Sequence, residues 1–381
     1  MTPARAAKSL TQSDRAITRS HDHPITQTPD HTITRKLLAW YRRQKRQLPW
    51  RGTRDPYRIW VSEVMLQQTT VGVVRERYEP FLRRFPDLYA LGRAREESVL
   101  AAWSGLGYYA RARNLWRAAR AVCRRHGGRL PRRAAELARL PGFGPYTAAA
   151  VASLAFGERL PAADTNVTRV LSRIFAIPGK TGTGRHRARV ESCAWKLLPG
   201  RRPADVTAAL MDLGQTICTP RRPECPRCPL AQDCRGFQAG DPERYAPHRP
   251  RPEPERVWVA AAVGRRDGRA LLARGEREFL RGLWLFPQAE AASPRAARHR
   301  LAARLGELGL RLDAGARPAH ARHTVVGRRL WIEVFAASPK SSSKVRNSKL
   351  FRWFRPRELA RAAIPTLTRK IASASGFLSQ P

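Results

Sequence analysis

The pattern of apolar and polar positions changes once along this chain. Between residues 34 and 236, apolar residues recur at spacings of three and four, as at Leu37, Leu38 and Tyr41, which is typical of amphipathic helices. Proline and glycine interrupt the pattern often, so it predicts about ten short helices and no strand. We expect an all-α domain over residues 31–239.

A segment rich in proline and charge, GDPERYAPHRPRPEPE, follows this region. It has little apolar surface to bury, so we expect a linker over residues 240–255 and a domain boundary there. Beyond it the apolar pattern predicts strands at 257–263, 270–272 and 330–335 and an amphipathic helix at 295–308. We therefore expect a smaller α+β domain over residues 256–375.

The first thirty residues contain many threonines and arginines and lack the apolar core of a secretory signal. They predict a disordered tail over residues 1–30, and composition alone leaves an organellar transit peptide open. No run approaches the about 18 consecutive apolar residues that a membrane span needs, so we expect no membrane partner.

The charge balance is strongly basic. Lysine and arginine number 72 against 30 acidic residues, a formal net charge of +42. This excess is more than solubility requires and indicates a polyanionic partner, with nucleic acid as the first candidate. The arginines are spread along the chain, however, and a GC-rich genome would produce the same excess. Charge alone therefore does not settle the partner.

Four of the six cysteines lie within seventeen residues, at Cys218, Cys225, Cys228 and Cys234. This crowding indicates metal ligation in a reducing compartment rather than disulfides. Four thiolates can close a tetrahedral Zn²⁺ site or hold an iron–sulfur cluster, and chemistry alone permits both. A zinc ribbon usually has two Cys-x-x-Cys pairs, whereas this run has one, so the spacing argues against that kind of zinc site.

The segment LPGFGPYTA, residues 140–148, predicts a tight turn between two helices. Gly142 and Gly144 allow a sharp turn and leave amide N–H groups uncovered at the start of the next helix, where the helix dipole also favours a phosphate. Such a turn can hold a nucleic-acid backbone without reading its sequence. Taken alone, an ordinary connection between helices explains the pattern equally well.

These motifs, together with Asp164 eighteen residues beyond Tyr146, resemble the endonuclease III and MutY branch of the helix-hairpin-helix DNA glycosylases. The resemblance covers residues 33–370. It implies that the domain is an all-α helix-hairpin-helix glycosylase domain, and that the four cysteines hold a 4Fe-4S cluster in a loop at 218–234. The MutY-type adenine glycosylases match best, which implies a double-stranded DNA substrate with adenine opposite 8-oxoguanine or guanine. It also implies a monomer that is cytoplasmic, bacterial and nucleoid-associated.

The resemblance implies roles for two acids. Asp164 precedes a helical run and has the pattern of an N-cap; the resemblance implies that it also stabilises the oxocarbenium-like sugar as the base departs. Glu63 lies in SEVMLQQT among apolar residues, which predicts a raised pKa, although a solvated glutamate on a polar helix face fits the helix pattern as well. The resemblance implies that Glu63 protonates N7 of adenine.

Tyr146 occupies a position at which endonuclease III has a lysine that forms a Schiff base. A phenol cannot form one, so the resemblance implies a monofunctional glycosylase in which water attacks and Tyr146 orients the carboxylates. Asn166 matches a residue near the same sugar, with a helix-surface amide as the alternative. A tyrosine at this position also occurs in a G·T mismatch thymine glycosylase, which stays the alternative function.

The resemblance also implies a set of DNA contacts. The first tyrosine of the loop LGYYARARN would wedge beside the damaged guanine, PWR would line the adenine pocket, and Gln68 and Thr69 would contact the bases left behind. Taken singly, such aromatic residues are more often core than wedge. The implied contacts in this domain are Trp50, Arg51, Gln68, Thr69, Leu106, Tyr108, Gly142 and Gly144.

The C-terminal region resembles the Nudix (MutT-like) fold that MutY-type enzymes append for reading 8-oxoguanine, with RGLWLFP at residues 281–287 carrying the resemblance. Endonuclease III and the thymine glycosylase lack this appendage, so its presence favours adenine excision. The Nudix catalytic box R-E-x-x-E-E is absent from the sequence, so we expect no pyrophosphatase activity.

His323 and Thr324 fall where the family has H-x-F-S-H, a loop whose hydroxyl touches the oxidised edge of the guanine. Two valines and a glycine replace the last three residues of that motif here. Thr324 is the hydroxyl left nearby, and an ordinary strand threonine is the alternative interpretation. We hypothesise reduced discrimination between 8-oxoguanine·adenine and guanine·adenine pairs.

Overall fold

The chain forms two compact units in a computed structural model: Met1–Gln67 with Ala121–Arg249, and Gln68–Arg120 with Pro250–Pro381. The expected disordered tail over 1–30 and part of the expected linker lie outside the described residues. The structure describes residues 31–44, 46–200, 202–247, 252–276, 280–325, 327–340 and 348–378.

The described residues before position 248 are helical and contain no strand, as the sequence pattern predicted. Short 3₁₀ turns lie at Cys225–Arg227, Ala231–Asp233 and Pro242–Tyr245. The α-helices are α1 His31–Gln44, α2 Pro56–Leu66, α3 Val71–Arg84, α4 Leu88–Arg93, α5 Glu96–Ala102, α6 Ala110–Arg125, α7 Ala134–Leu137, α8 Pro145–Phe156, α9 Thr165–Ile174, α10 Gly184–Leu197, α11 Pro203–Thr216 and α12 Arg235–Gln238.

Local chemistry sets where the helices of the first unit begin and end. Asp55 caps α2 by accepting hydrogen bonds from the amides of Tyr57 and Arg58, and Pro56 fills the first helical position. Gly157 ends α8 in the left-handed conformation, with φ of 74°. These boundaries fix the ends of the two helices that carry Glu63 and Tyr146.

The core of the first unit is formed by α1, α9, α10 and α11. Leu37, Leu171, Leu197 and Leu213 are fully or almost fully buried in it. Three of the four clustered cysteines, Cys218, Cys228 and Cys234, pack against this core. The cysteine loop is therefore an extension of the helical core and not a separate zinc ribbon-like module.

The second unit combines α3–α5 and most of α6 with an eight-stranded sheet, counted over the described residues. Strand β1 runs parallel to β7 and antiparallel to β2 and β4. Strands β5 and β6 pair with β7, while β3 and β8 pair with β2. The strands are β1 Glu255–Arg266, β2 Arg269–Arg274, β3 Trp284–Leu285, β4 Gln288–Ala291, β5 Leu310–Leu312, β6 Ala319–Val325, β7 Arg328–Pro339 and β8 Phe351–Phe354.

Both faces of β1 are buried, which explains why its sequence reads as a continuous apolar run. One face packs with α15 (Thr366–Ala374) through residues such as Val259 and Ile371, and the other packs with α13 (Pro294–Glu307) through Ala260 and Leu301. Helix α14 (Pro356–Ala360) lies between them in sequence. The three predicted strands and the predicted helix in this region are confirmed.

The interpretation of His323 and Thr324 as part of a loop is wrong. Both residues lie in β6, paired with Leu330 and Arg329 of β7. The physical reason is that the two long antiparallel strands continue almost to their connecting turn, which contains Gly327 with φ of +73°.

No helix within the described ranges is long and apolar enough to cross a membrane.

Candidate active site

Glu63 is buried although it is an acid. It lies in the middle of α2, most of whose residues are buried, and only 7% of its surface is exposed. The alternative of a solvated glutamate on a polar helix face is therefore wrong. Burial raises the pKa of Glu63 to about 7, with a further increase from the charge of Asp164 and opposing effects from Tyr146 and Arg51.

Tyr146 hydrogen-bonds directly to Glu63. Its hydroxyl donates to Oε2 of Glu63 at 3.0 Å. The hairpin that carries Tyr146 is attached to α2 because Phe143 stacks on Trp60, with ring centroids 5.1 Å apart. Burial, followed by the charges of Glu63 and Asp164, raises the pKa of Tyr146 well above its usual value. The phenol therefore stays neutral and acts as a donor.

The two carboxylate oxygens of Asp164 accept hydrogen bonds from different donors, and one of these bonds caps α9. Oδ1 accepts from the Val167 amide at 2.7 Å, and Oδ2 accepts from Nδ2 of Asn166 at 2.9 Å. The N-cap interpretation is thus correct, and it does not compete with a chemical role because the two oxygens have different partners. Since the Asp164 charge acts on both Glu63 and Tyr146, the three groups occupy one electrostatic environment.

Sequence reasoning missed Asp212 in α11. This carboxylate is 1% exposed, and its Oδ1 accepts from Arg46 at 2.7 and 3.1 Å and from Arg51 at 3.0 Å. It fixes Arg51, the cation that lowers the pKa of Glu63. The signal was the single acid in the apolar run ALMDLG, which needs a buried cation as partner. Trp50, expected to line the pocket, is buried at 7% exposure.

A line of hydrogen bonds runs along α9 from Asp164 to the cysteines. Arg169 donates to Oδ1 of Asn166 at 2.9 Å and, through Nε, to the carbonyl of Cys218 at 2.8 Å. One turn later Arg173 points Nη1 at the sulfur of Cys218, 3.4 Å away. Asn166 is therefore held between Asp164 and Arg169, and the alternative of a free surface amide is wrong.

The four cysteines line one pocket together with apolar residues of α9 and α11. Burial raises the pKa of Cys228 to about 12 and raises the pKa of Cys225 and Cys234, and the neighbouring cysteine charges add to this. Four thiolates in this space therefore require a strong positive charge among them. In the described part of the chain, no three His, Cys, Asp or Glu side chains are grouped tightly enough to hold a single metal ion.

This donor set fits a 4Fe-4S cluster. Four thiols surround one cavity, and Arg173, which is 1% exposed, directs an N–H group toward the sulfur of Cys218. A guanidinium beside a cysteine sulfur that binds a cluster partly compensates the negative charge of that thiolate.

The hairpin at 140–148 has the geometry expected of a backbone-binding turn. Gly142 has φ of +79°, which an L side chain rarely adopts. Gly144 is the N-cap of α8 and supplies no side-chain cap, and a Cβ there would meet no atom within 4 Å. The first amides of α8 are thus left without a side-chain cap.

The expected contacts in the second unit differ in exposure. Gln68 and Tyr108 are exposed, and both adopt positive φ, 55° and 45°. Thr69 is partly buried, and Leu106 is only 4% exposed. The side chain of Leu106 is thus buried, and its backbone carbonyl accepts a hydrogen bond from Arg111 at 2.9 Å.

Two family models match the chain. Residues 61–198 match the HhH-GPD superfamily of base excision DNA repair proteins, and residues 259–374 match the NUDIX domain. An adenine DNA glycosylase from Mycobacterium tuberculosis is 42% identical over 216 residues, which cover 56% of this chain and 70% of that protein. This chain belongs to the MutY-type adenine DNA glycosylase family.

Two other proteins are similar to this chain over part of its length. An adenine DNA glycosylase from Homo sapiens is 43% identical over 217 residues, covering 55% of this chain and 40% of that protein. The chain thus spans about two fifths of the length of that relative. A solved thermostable thymine-DNA glycosylase is 33% identical with a TM-score of 0.51, covering 55% of this chain and 96% of that one. This likeness supports the helical glycosylase fold.

In this MutY-type protein, His323 and Thr324 differ in environment. His323 is partly buried, and burial followed by the charge of Lys370 lowers its pKa. Thr324 is exposed on the last part of β6. A hydroxyl is therefore available at the surface, but on a strand rather than on a loop.

Proposed function

We propose that this protein is a monofunctional, adenine-specific DNA glycosylase of base excision repair, which hydrolyses the N-glycosidic bond of adenine opposite 8-oxoguanine or guanine. The observation that supports this best is the buried carboxyl of Glu63, hydrogen-bonded to a neutral phenol and close to the charge of Asp164. Glu63 in this arrangement holds a proton near neutral pH, and the carboxyl group of Asp164 acts on the same site.

In the proposed reaction Glu63 transfers its proton to N7 of the flipped adenine. The bond between N9 and C1′ then breaks, its electron pair stays with the base, and neutral adenine leaves. Asp164 stabilises the positive charge that develops on the sugar. Water adds to C1′ and loses a proton, leaving an abasic site. Tyr146 has no amine to trap the sugar, so strand cleavage is not part of the reaction.

The cysteines Cys218, Cys225, Cys228 and Cys234 would hold a 4Fe-4S cluster, which would stabilise the loop at 218–234. Arg173 and Arg169 then hold this loop against α9, the helix whose N-terminus carries Asp164. Through these contacts the loop supports the position of Asn166 and Asp164.

The proposed substrate is duplex DNA bound by one copy of the protein. Gly142 and Gly144 leave amides for the phosphate backbone, and Tyr108 is an exposed aromatic that can wedge beside the guanine opposite the flipped adenine. Gln68 and Thr69 would contact the neighbouring bases, while Trp50 and Arg51 would border the adenine. The C-terminal sheet domain would read the opposite base through His323 and Thr324.

Lesion discrimination should be weak. The serine of the family motif is replaced by a valine in this sequence, and the nearby hydroxyl of Thr324 lies two positions earlier, on the last part of β6. We propose that 8-oxoguanine·adenine is preferred over guanine·adenine less strongly than in a relative that retains H-x-F-S-H. Excision rates on the two duplexes under single-turnover conditions measure this ratio, and a ratio equal to that of the relative would contradict the proposal.

A thymine glycosylase acting on G·T mismatches is the second candidate, supported by the likeness to the thymine-DNA glycosylase structure over the helical region. Base release from duplexes holding A or T opposite G or 8-oxoguanine distinguishes the two activities. Alkaline strand cleavage, scored separately, reports whether the enzyme itself cuts the strand.

The decisive variant is Asp164→Asn. Asparagine is as good an N-cap as aspartate, so α9 should keep its start and the melting temperature should change little. We expect base release to be lost while binding to the duplex persists. Base release at the wild-type rate would show that Asp164 does not stabilise the sugar cation.

A further inference from the structure

The loop that carries Tyr108 has an unusual backbone. We call residues 104–109 the insertion loop. Gly105 and Gly107 have φ of +100° and +68°, and Tyr108 itself has φ of +45°. A tyrosine in the left-handed region costs roughly 1 kcal/mol or more, so this shape persists only if surrounding groups hold it.

Part of that support comes from neighbouring helical residues. The indole Nε1 of Trp103 donates to the carbonyl of Gly107 at 3.1 Å, and Arg111 donates to the carbonyl of Leu106 at 2.9 Å. These bonds hold the middle of the insertion loop. At the two ends, the backbones of Ser104 and Tyr109 bond to the flanking helices. The side chains of these two residues reach a different partner.

Both ends are held by a single carbonyl of the C-terminal sheet domain, residues 252–378. Ser104 donates its hydroxyl to the carbonyl of Ile364 at 2.8 Å, and the hydroxyl of Tyr109 donates to the same oxygen at 2.9 Å. Ser104 is 2% exposed and Tyr109 is 6% exposed. Arg369 adds a bond to Oγ of Ser104 at 3.2 Å.

The carbonyl of Ile364 belongs to a well-anchored segment. The amide of Trp284 donates to the neighbouring carbonyl of Ala363 at 2.9 Å. The indole of Trp284 donates to Glu97 of α5 at 3.0 Å, and Arg274 pairs with the same carboxylate at 3.1 Å. The acceptor therefore rests on the sheet, which is itself attached to the helix just before the insertion loop.

From this geometry we propose that the C-terminal sheet domain shapes the insertion loop for DNA, with Ser104 and Tyr109 acting as positioning residues through the carbonyl of Ile364. Reading of the opposite base by the sheet domain and insertion of Tyr108 beside that base would then be mechanically linked. This proposal rests on the proposed function, because it takes Tyr108 as the residue that enters the duplex.

The test uses the full-length protein and the double variant Ser104→Ala with Tyr109→Phe, which removes the two hydroxyls and little else. Thr368→Val is the matched control, because Thr368 is 1% exposed and donates to a different carbonyl of the same domain, that of Trp284, at 3.1 Å. Hydrogen exchange of amides 105–108 is measured without DNA. Binding is measured on a duplex with a tetrahydrofuran abasic analogue opposite 8-oxoguanine, with 2-aminopurine beside it.

We expect amide exchange in the insertion loop to accelerate about tenfold in the double variant and to stay unchanged in the control. The Kd for the duplex should rise about tenfold with a smaller 2-aminopurine signal, consistent with the loss of two hydrogen bonds. The rate of base release at saturating enzyme should change less than about threefold, because Glu63 and Asp164 are untouched.

Loop exchange and Kd values that match those of Thr368→Val would overturn the proposal. A failure of the proposed function looks different: the wild-type protein would then release no adenine, whereas the exchange measurement on the free protein would still report whether the carbonyl of Ile364 holds the loop.

Discussion

At the residue scale, the proposed chemistry depends on opposing effects on the carboxyl group of Glu63. Burial favours the neutral form of Glu63, while the hydrogen bond from Tyr146 and the charge of Arg51 favour the ionised form. The resulting pKa of about 7 places the acid where it both keeps a proton at neutral pH and can release it. Asp212 contributes because it fixes the guanidinium of Arg51.

We expect the rate of base release to fall as pH rises through about 7, because only protonated Glu63 can serve as the acid. Above that pH, kcat/KM should decline about tenfold per pH unit. Tyr146→Phe removes a bond that favours the carboxylate, so the descending limb should move to higher pH. A limb that stays in place or moves to lower pH would contradict the assignment.

The carboxyl group of Glu63 should also make the free energy of unfolding depend on pH. The folded pKa of about 7 lies above the ordinary value of 4.5, so the folded state binds more protons between these values. The free energy of unfolding therefore falls as pH rises from about 4.5 to about 7, by an amount on the order of 3 kcal/mol. Glu63→Gln should remove that part of the slope in urea titrations, and an unchanged difference between pH 5 and pH 8 would refute this.

At the element scale, helices and long strands were predictable and their partners were not. The apolar spacing gave the start and end of β1 and α13 closely, because each buries a regular set of side chains. Strands β3 and β5 have two and three residues, too few for any period to appear. Asp212 was missed because its partners, Arg46 and Arg51, lie over 160 residues away in the chain.

Gly144→Ala tests the hairpin at this scale. Gly144 has φ of −71° and open space around its Cβ position, so alanine should cost less than about 1 kcal/mol of stability. The added methyl covers the amides at the start of α8, and binding to undamaged duplex should weaken severalfold. Gly184→Ala, at the start of α10 with equally open space, is the control and should leave DNA binding unchanged. Equal loss in both variants would contradict a phosphate-binding hairpin.

Arg173 tests the link between helix α9 and the cysteine loop. It donates to the sulfur of Cys218 and to the carbonyls of Thr219 and Pro220, and it is 1% exposed. Arg173→Met should leave the half-buried acceptors of Cys218 and Thr219 without this donor and cost about 1 to 3 kcal/mol. If the proposed 4Fe-4S cluster is bound, its visible absorbance should be lost faster from this variant on exposure to a chelator. Arg227→Met, on an exposed side chain of the same loop, should behave like the wild type.

At the scale of the whole molecule, the net charge of +42 is larger than the charge available for contacts with DNA phosphates, because several arginines are engaged within the protein. Arg169 and Arg173 are buried and bonded to the cysteine loop, while Arg113 is bound to Glu96 and to the carbonyl of Arg281. Others lie over aromatic rings, such as Arg322 over Trp331 at 4.0 Å. The arginine excess thus serves both folding and the expected polyanionic partner, which is why composition alone could not separate the two uses.

The salt dependence of DNA binding separates arginines that contact phosphates from arginines that serve folding. If the remaining exposed arginines contact the phosphate backbone, log K should fall with log salt at a slope of about −5 or steeper, since each neutralised phosphate contributes about −0.9. The slope should be the same for undamaged and 8-oxoguanine·adenine duplexes, because base reading and insertion of Tyr108 add contacts that release no counterions. A slope shallower than about −2 would mean that the arginines reflect composition rather than DNA contact.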